Sequence, residues 1–313
     1  MRPNRLIALA GLVVVCAVAV TACSNPAQRE VDRGGELLDA GKKDEALAAF
    51  NAALELDPDN AVALAGRGCS TPSVEPARAI ADLDRAIALD PKSFQGYRCR
   101  AERHRVAGDL DAALADAKKA IDLDASRASG HVTLGNVLDD LGRTTEAIPE
   151  YDKAIELDPT LANAYNQRAI ARGRLGDDAG AAADVDKAIE LDPEYGEAYA
   201  SRAMAAVFDG ECDRAIVDAD KAIELAPDFP IGYGARALCR ADAGDLDGAL
   251  RDADRAIELG RTDAFAYYTR GAIHAERGDD AEAKADLLKA IELAPTPEFV
   301  VGVSELMEEY GLD

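Results

Sequence analysis

The residues best suited to chemistry in this chain are aspartates paired across one intervening residue. Such a pair could hold a divalent cation, or divide the roles of acid and base between two carboxyl groups. Here each pair recurs along the chain and is followed by Arg or Lys; the pairs are Asp82/Asp84, Asp184/Asp186, Asp218/Asp220 and Asp252/Asp254. We therefore interpret them as charges on helix surfaces and not as a catalytic or metal site.

Other residues able to catalyse a reaction or bind a metal are not arranged for it. His104, His131 and His274 are far apart, and the sequence has no Cys-x-x-Cys pair and no glycine-rich loop that would cradle a phosphate. No Ser/His/Asp or Cys/His arrangement is recognisable either. The sequence thus predicts no catalytic residue, no metal site and no cofactor, and the protein is not expected to be an enzyme.

The feature that organises the chain is a repeat of 34 residues. The motif at 187–193, KAIELDP, also occurs at 153–159 and, with one change, at 221–227. The first residue of the Asp-Pro pair, or its substitute, advances in equal steps through Asp90, Asp124, Asp158, Asp192, Ala226, Gly260 and Ala294. A fixed period of this size indicates a solenoid.

Each repeat has the same internal order. A helical segment ends at a glycine such as Gly176, Asp177 follows as a candidate N-cap, and a second helical segment stops near Pro193. Small residues hold fixed columns that let helices approach closely, and one column is Ala147, Ala181, Ala215, Ala249 and Ala283. The pattern predicts two antiparallel helices per repeat, each of about a dozen residues.

This spacing of small residues, glycine and proline at a 34-residue period resembles the tetratricopeptide repeat family. The resemblance implies an all-α fold, a right-handed α-solenoid superhelix of antiparallel helix pairs, and a protein-interaction module whose first helices line a concave groove. Eight repeats are predicted, followed by a C-terminal capping helix at 298–313; the repeats are 27–60, 61–93, 94–127, 128–161, 162–195, 196–229, 230–263 and 264–297. The second repeat is one residue short, and a divergent loop is predicted at 70–75.

Residues 1–22 resemble the signal peptide of a bacterial lipoprotein. Arg2 and Arg5 precede an apolar run at 6–20 that is short for a transmembrane helix, and small residues stand directly before Cys23. The resemblance implies cleavage before Cys23, acylation of its sulfur and anchoring to the bacterial cell membrane, with 23–26 as a short linker. An ordinary signal peptide and an uncleaved anchor are the alternatives.

An exported protein would keep four further cysteines in an oxidising compartment, which favours disulfides. Cys69 and Cys99 lie on first helices of consecutive repeats. Cys212 and Cys239 lie on helices that are expected to pack antiparallel. We predict the pairs Cys69–Cys99 and Cys212–Cys239, with four buried free thiols as the alternative.

Two charged columns are expected to meet across the turn of each repeat. The first-helix column is Arg67, Arg100, Arg168, Arg202, Arg236 and Arg270, and the second-helix column is Asp82, Asp116, Asp184, Asp218, Asp252 and Asp286. Because the midpoint of each Arg–Asp pair falls at the turn, antiparallel helices would place the two side chains opposite each other. The sequence therefore predicts one ion pair in each of these repeats.

Groove positions carried over from the family are polar in the N-terminal half of the array and apolar in the C-terminal half. The predicted partner-binding residues are Met204, Val207, Phe208, Ile231, Leu238, Phe265 and Tyr268. Capping by an apolar stripe at 299–307 and a homodimer contact are the alternative uses of this strip.

The net charge of −24 argues against nucleic acid as a ligand, because nucleic-acid binding needs a basic surface. The function expected from the sequence is a membrane-anchored adaptor or scaffold that binds a protein or peptide partner in its groove. A self-associating structural lipoprotein of the cell envelope is the alternative.

Overall fold

The computed structural model describes residues 25–72, 75–260, 263–294 and 297–312. In these ranges the regular structure is entirely α-helical. The helices, α1 to α17 in chain order, are Pro26–Asp39, Lys43–Leu56, Ala61–Ser70, Pro76–Leu89, Phe94–Val106, Leu110–Leu123, Ala128–Asp140, Thr144–Leu157, Ala162–Arg174, Asp178–Leu191, Gly196–Phe208, Cys212–Leu225, Pro230–Asp242, Leu246–Leu259, Ala264–Arg277, Asp280–Leu293 and Pro297–Glu309. The signal segment and Cys23 lie outside the described residues.

Helices α1 to α16 of the described residues form pairs, and one pair falls in each of the eight predicted repeats. The predicted fold class, an all-α solenoid of repeated helix pairs, is confirmed. The chain divides into two compact units, Met1–Leu157 and Asp158–Asp313, which are described separately below. None of the described helices has both the length and the apolar character needed to cross a membrane.

In seven of the eight repeats, the turn between the two described helices is set by one glycine in the left-handed conformation. Gly176 has φ +78°, and the N–H of Asp177 bonds back to the carbonyl oxygen of Arg172 at 3.0 Å. The Asp177 carboxylate then accepts a hydrogen bond from the Gly180 N–H at 3.0 Å and caps α10. A residue with a Cβ is strained at such a φ, so glycine at this position fixes where the first helix ends.

The second repeat departs from this turn. Helix α3 ends at Ser70, whose hydroxyl donates to the Gly66 carbonyl oxygen, and α4 begins at Pro76. Ser70 therefore belongs to the helix and not to the divergent loop predicted at 70–75, of which 73–74 lie outside the described residues. Arg103 donates to the Cys69 carbonyl oxygen at 2.6 Å and so satisfies one of the acceptors left open at the end of α3.

The core of the first unit contains several large side chains. Phe50, Leu64 and Leu83 are each almost completely buried in one cluster. A Cβ added at Gly66 would lie 2.3 Å from the Phe50 ring. Because Gly66 has no side chain, α3 packs directly against the Phe50 ring of α2.

The core of the second unit is built mainly from alanine. One cluster consists of Ala203, Ala219 and Ala235, all fully buried. At the end of this unit α17 packs Val303 and Met307 against Leu287 and so covers the last helix pair. Close approach of small side chains keeps this thin core dense, since dispersion contacts depend on short separations.

The predicted Arg–Asp pairs form in every repeat that carries both residues. Arg202 on α11 is typical, with Nε 2.7 Å and Nη2 2.8 Å from the two carboxylate oxygens of Asp218 on α12. The same bidentate contact recurs in the other five repeats, at Arg67–Asp82, Arg100–Asp116, Arg168–Asp184, Arg236–Asp252 and Arg270–Asp286. Each contact joins the two helices of one pair.

The second aspartate of the Asp-x-Asp pairs also has a structural partner. Nη1 of Arg202 lies 2.9 Å from Asp186, which belongs to the preceding repeat. Arg100, Arg236 and Arg270 contact Asp84, Asp220 and Asp254 in the same way. These aspartates are thus not merely solvated helix charges, because each one ties its repeat to the next. Hydrogen bonding to Asp218 holds the pKa of Arg202 above its ordinary value, so the guanidinium stays charged.

The fourth repeat is the exception in the arginine column. Leu134 occupies the column position there, and the turn is bridged instead by His131, whose Nδ1 lies 2.7 Å from Glu150. In the second unit the column again holds arginine, at Arg168, Arg202, Arg236 and Arg270. The single His131–Glu150 contact is a weaker link between the two helices than a bidentate guanidinium–carboxylate contact.

A double-mutant cycle on Arg202 and its two aspartates is expected to give unequal coupling energies. We expect about 1–3 kcal/mol with Asp218, whose side chain is nearly buried, and about 0.5 kcal/mol or less with the exposed Asp186. Chemical denaturation of the single and double alanine variants measures both values. The exposed pair Lys221–Glu224 serves as the control, and equal couplings for all three pairs would contradict this account.

Candidate protein-interaction surface

The predicted apolar strip lies on the first helices of the last three repeats, all in the second unit. Helix α11 provides Met204, Val207 and Phe208; α13 provides Ile231 and Leu238; α15 provides Phe265 and Tyr268. Phe208 is exposed, whereas the other six residues are half-buried. The strip has an open part at Phe208 and a covered part near Tyr268, where the C-terminal helix packs.

The open part centres on Phe208, the last residue of α11. Its exposed fraction is 74%, the largest among the described large hydrophobic residues. Met204 and Val207 are half-buried and rest on the alanine cluster of Ala203, Ala219 and Ala235. An exposed phenylalanine supported by packed neighbours is held in place, and this is typical of an anchor for a partner.

The covered part lies beneath the C-terminal helix. The ring of Tyr268 is 6.0 Å from that of Phe265 and 6.0 Å from that of Phe299 on α17, measured between centroids. Burial raises the pKa of the Tyr268 hydroxyl, and the nearby Glu309 charge adds to the effect. Capping, one of the uses foreseen from the sequence, therefore applies to this end of the strip.

A cavity of about 660 Å³ adjoins Phe208 between the fifth and sixth repeats. Its apolar lining includes Ile170, Val185, Met204, Phe208 and Ile231. The first helices α9, α11 and α13 and the second helices α10 and α12 contribute to it, so no single helix defines it. We call this space the inter-repeat cavity.

The mouth of the inter-repeat cavity carries charged residues. Asp178 and Asp209 are exposed, and neither forms an ion pair with another described residue. The three arginines at the mouth, Arg174, Arg202 and Arg214, all interact with other groups of the protein. The unpaired charge at this mouth is therefore negative.

The inter-repeat cavity is not among the features predicted from the sequence, although the sequence carries a signal for it. Ala182 stands in a second-helix column that otherwise holds large aliphatic residues in the first seven repeats: Leu47, Ile80, Leu114, Ile148, Ile216 and Leu250. A missing side chain is visible only when the repeats are aligned column by column. That it leaves a cavity depends on how closely the neighbouring helices approach.

In the first unit, the groove positions of α5 are polar as predicted but are engaged with one another. Arg105 bonds to both Glu102 and Asp140 at 2.7 Å, and Arg98 donates to Gln95 at 3.3 Å. Burial lowers the pKa of Arg98 from its ordinary value. These contacts brace α5 against its neighbours and leave it fewer free groups for a partner.

Both predicted disulfides are present in the structure. Cys69 and Cys99 join α3 to α5 with Cα atoms 5.3 Å apart, and Cys212 and Cys239 join α12 to α13 with Cα atoms 5.2 Å apart. The first bond fastens the short helix of the irregular second repeat to the regular third repeat. The second bond lies beside the buried residues Ala206 and Ala215.

The described residues contain no group of three or more His, Cys, Asp or Glu side chains placed to hold a metal ion. The Asp-x-Asp pairs do not converge on a shared point, since their two members reach arginines of different repeats, as Asp184 and Asp186 do with Arg168 and Arg202. What this surface offers is apolar contact area with charged borders, which suits the binding of a partner.

Repeated helix pairs with an exposed apolar surface are typical of α-solenoid protein-interaction scaffolds. Comparison with family models makes this specific. A model described as TPR repeat matches 135–176, and three models described as tetratricopeptide repeat match 264–297, 162–195, and the two segments 31–68 and 200–264. The chain is therefore built of tetratricopeptide repeats, which are generally non-catalytic scaffolds for protein–protein interaction.

Known proteins resemble parts of this chain. Stress-induced-phosphoprotein 1 of Caenorhabditis elegans is 38% identical over 72 residues, which cover 23% of this chain and 22% of that protein. The chain thus matches about a fifth of the length of this curated relative. The similarity concerns the repeats alone.

Two solved structures share the fold at low sequence identity. The APC/C hetero-tetramer Cut9-Hcn1 has a TM-score of 0.71 at 15% identity, over 89% of this chain and 54% of that one. A tetratricopeptide repeat protein from Parabacteroides merdae has a TM-score of 0.54 at 18% identity, over 92% of this chain and 99% of that one. At these identities the likeness supports the fold only.

The disulfides make a prediction that mass spectrometry can check. Digestion of the unreduced, alkylated protein should yield linked peptides containing Cys69 with Cys99 and Cys212 with Cys239. Replacing Cys69 and Cys99 together by alanine should lower the unfolding free energy by about 2–4 kcal/mol, because the open loop gains entropy when unfolded. Full alkylation of all four thiols before reduction would show that the pairs do not form.

Proposed function

We propose that the protein is a lipid-anchored adaptor of the bacterial cell envelope that binds a protein or peptide partner around Phe208. The observation that carries this proposal is the exposed Phe208 ring beside the inter-repeat cavity. Tetratricopeptide repeats generally serve as scaffolds for protein–protein interaction, which supports this proposal. The partner surface comprises the exposed Phe208 and the half-buried Met204, Val207 and Ile231 around it.

The covered end of the strip has a smaller part in this proposal. Phe265 and Tyr268 pack together, and Tyr268 also meets Phe299 of the capping helix. A partner that used Tyr268 would first have to displace α17 and expose Val303, which is fully buried. Binding at the open end requires no such rearrangement, and free energy is not lost in opening the cap.

The anchor in this proposal rests on the sequence before the first repeat. The apolar run at 6–20 and the small residues before Cys23 support export and acylation at that cysteine. Two acyl chains suffice for stable attachment to a bilayer. With α1 beginning at Pro26, the linker from Cys23 is short, and the first repeat would lie close to the membrane surface.

Replacing Phe208 by glutamate is expected to abolish partner capture. The charge would oppose burial of this position against an apolar surface, while its exposure means the fold should survive. Crosslinking from membranes, followed by affinity purification and mass spectrometry, compares the variant with the wild type. Val217→Glu is the matched control, since Val217 is 68% exposed on α12 and lies outside the cavity.

A partner present with the wild type and with Val217→Glu, but absent with Phe208→Glu, would support the adaptor. Identical partner sets in all three samples would contradict it. Recovery of this chain itself as the crosslinked species would favour the self-associating structural lipoprotein. Light scattering on the purified protein then gives the oligomeric state.

Replacing Cys23 by serine is expected to remove lipid from the protein. Serine lacks the thiol that carries the diacylglycerol, so labelling with palmitate should be lost. Cys16→Ser, which alters a cysteine inside the apolar run, is the control and should be labelled like the wild type. Unchanged labelling of the Cys23→Ser variant would contradict the lipoprotein assignment.

A further inference from the structure

The inter-repeat cavity exists because side chains are missing at two positions. Ala182 stands where the other six of the first seven repeats have Leu or Ile, and a Cβ added at Gly173 would meet nothing within 4 Å. Ala181 shows the same opening. It is half-buried, whereas the equivalent alanines in the other seven repeats are fully buried: Ala46, Ala79, Ala113, Ala147, Ala215, Ala249 and Ala283.

We propose that the inter-repeat cavity receives one or two bulky apolar side chains of a partner segment that carries Lys or Arg beside them. This inference rests on the proposed function, because Met204, Phe208 and Ile231 belong to both surfaces. It adds the residues of α9 and α10 to the binding surface and states the chemistry of the partner.

The apolar half of the inference comes from the size and lining of the cavity. A volume of about 660 Å³ falls in the range of pockets that enclose small ligands, roughly 300–1,000 Å³. Ile170, Val185 and Met204 form walls, and the exposed Phe208 stands at the opening. A side chain of the size of Leu or Phe would replace the contacts that Ala182 leaves unmade and would cover the Phe208 ring.

The cationic half comes from the charges at the mouth. Asp178 and Asp209 have no ion-pair partner among the described residues, while each arginine there is already engaged. The whole chain carries a net charge of −24, so its field attracts a basic segment and repels an acidic one. The same field repels a second copy of this chain, which is equally acidic, and a lipid with an anionic headgroup, so neither is the favoured occupant.

Filling the cavity from within tests the apolar half. The probe is a labelled synthetic amphipathic helix of Leu and Lys, with a helix of Leu and Glu as its counterpart, and binding to the full-length protein is read by fluorescence anisotropy. Ala182→Leu should weaken binding of the Lys helix about tenfold or more. Neighbouring repeats carry Leu or Ile at this position, so the variant should fold.

The matched control is Ala183→Leu, the same change one residue further along α10. Ala183 is exposed and does not line the cavity, and its counterpart Val217 shows that this column tolerates an exposed apolar side chain. Its affinity should stay within about twofold of the wild type. Equal affinity in the Ala182→Leu and Ala183→Leu variants would overturn the inference.

Removing the two unpaired carboxylates tests the cationic half. Asp178→Asn/Asp209→Asn should weaken binding of the Lys helix about fivefold at low salt and flatten its salt dependence. Asp213→Asn/Asp242→Asn removes the same charge from exposed positions outside the cavity and should have little effect. Binding of the Glu helix as tight as that of the Lys helix would overturn the inference, as would a co-purified fatty acid that only Ala182→Leu loses.

The same variants separate this inference from the proposed function. In the crosslinking experiment, a partner lost with both Phe208→Glu and Ala182→Leu supports both statements. A partner lost with Phe208→Glu but kept with Ala182→Leu leaves the adaptor standing and overturns the cavity. Identical partner sets for Phe208→Glu and Val217→Glu remove the adaptor.

Discussion

A guanidinium held between two carboxylates is the interaction on which the repeated architecture depends. In the sixth repeat, Arg202 joins its own helix pair through Asp218 and reaches back to the preceding pair through Asp186. Its guanidinium also lies over the Tyr199 ring, 5.5 Å from the centroid. One side chain thus fixes the register of a hairpin, the distance between neighbouring repeats and the position of an aromatic ring.

The planar fork of arginine suits this role better than lysine would. It bonds one carboxylate through Nε and Nη2 and keeps Nη1 for the other, as Arg236 does with Asp252 and Asp220. The inner carboxylate is nearly buried and the outer one is exposed. The inner contact therefore carries most of the energy, whereas the outer one mainly orients, since exposed ion pairs contribute little.

Because charge pairs and small residues hold the repeats together, the second unit needs few large apolar side chains in its core. Ala203, Ala219 and Ala235 form one cluster by close approach. In the fifth repeat, Ala182 stands in place of a larger residue, and no neighbouring side chain fills the space. The missing side chain leaves a candidate binding surface there, next to the exposed ring of Phe208.

The sequence by itself determined the helix pairs, their glycine turns, the first carboxylate partner of each arginine and the two disulfide pairings. The first three follow from a strict 34-residue period, since a residue's column fixes its neighbours within a hairpin. The disulfide pairings were predicted from which helices of consecutive repeats carry the cysteines. Only the tertiary structure decided the second partner of Arg202, the covering of Tyr268 by α17 and the hollow beside Ala182. Each of these depends on how one helix pair lies against the next, and that distance and angle are set by packing across repeats and not by any local pattern.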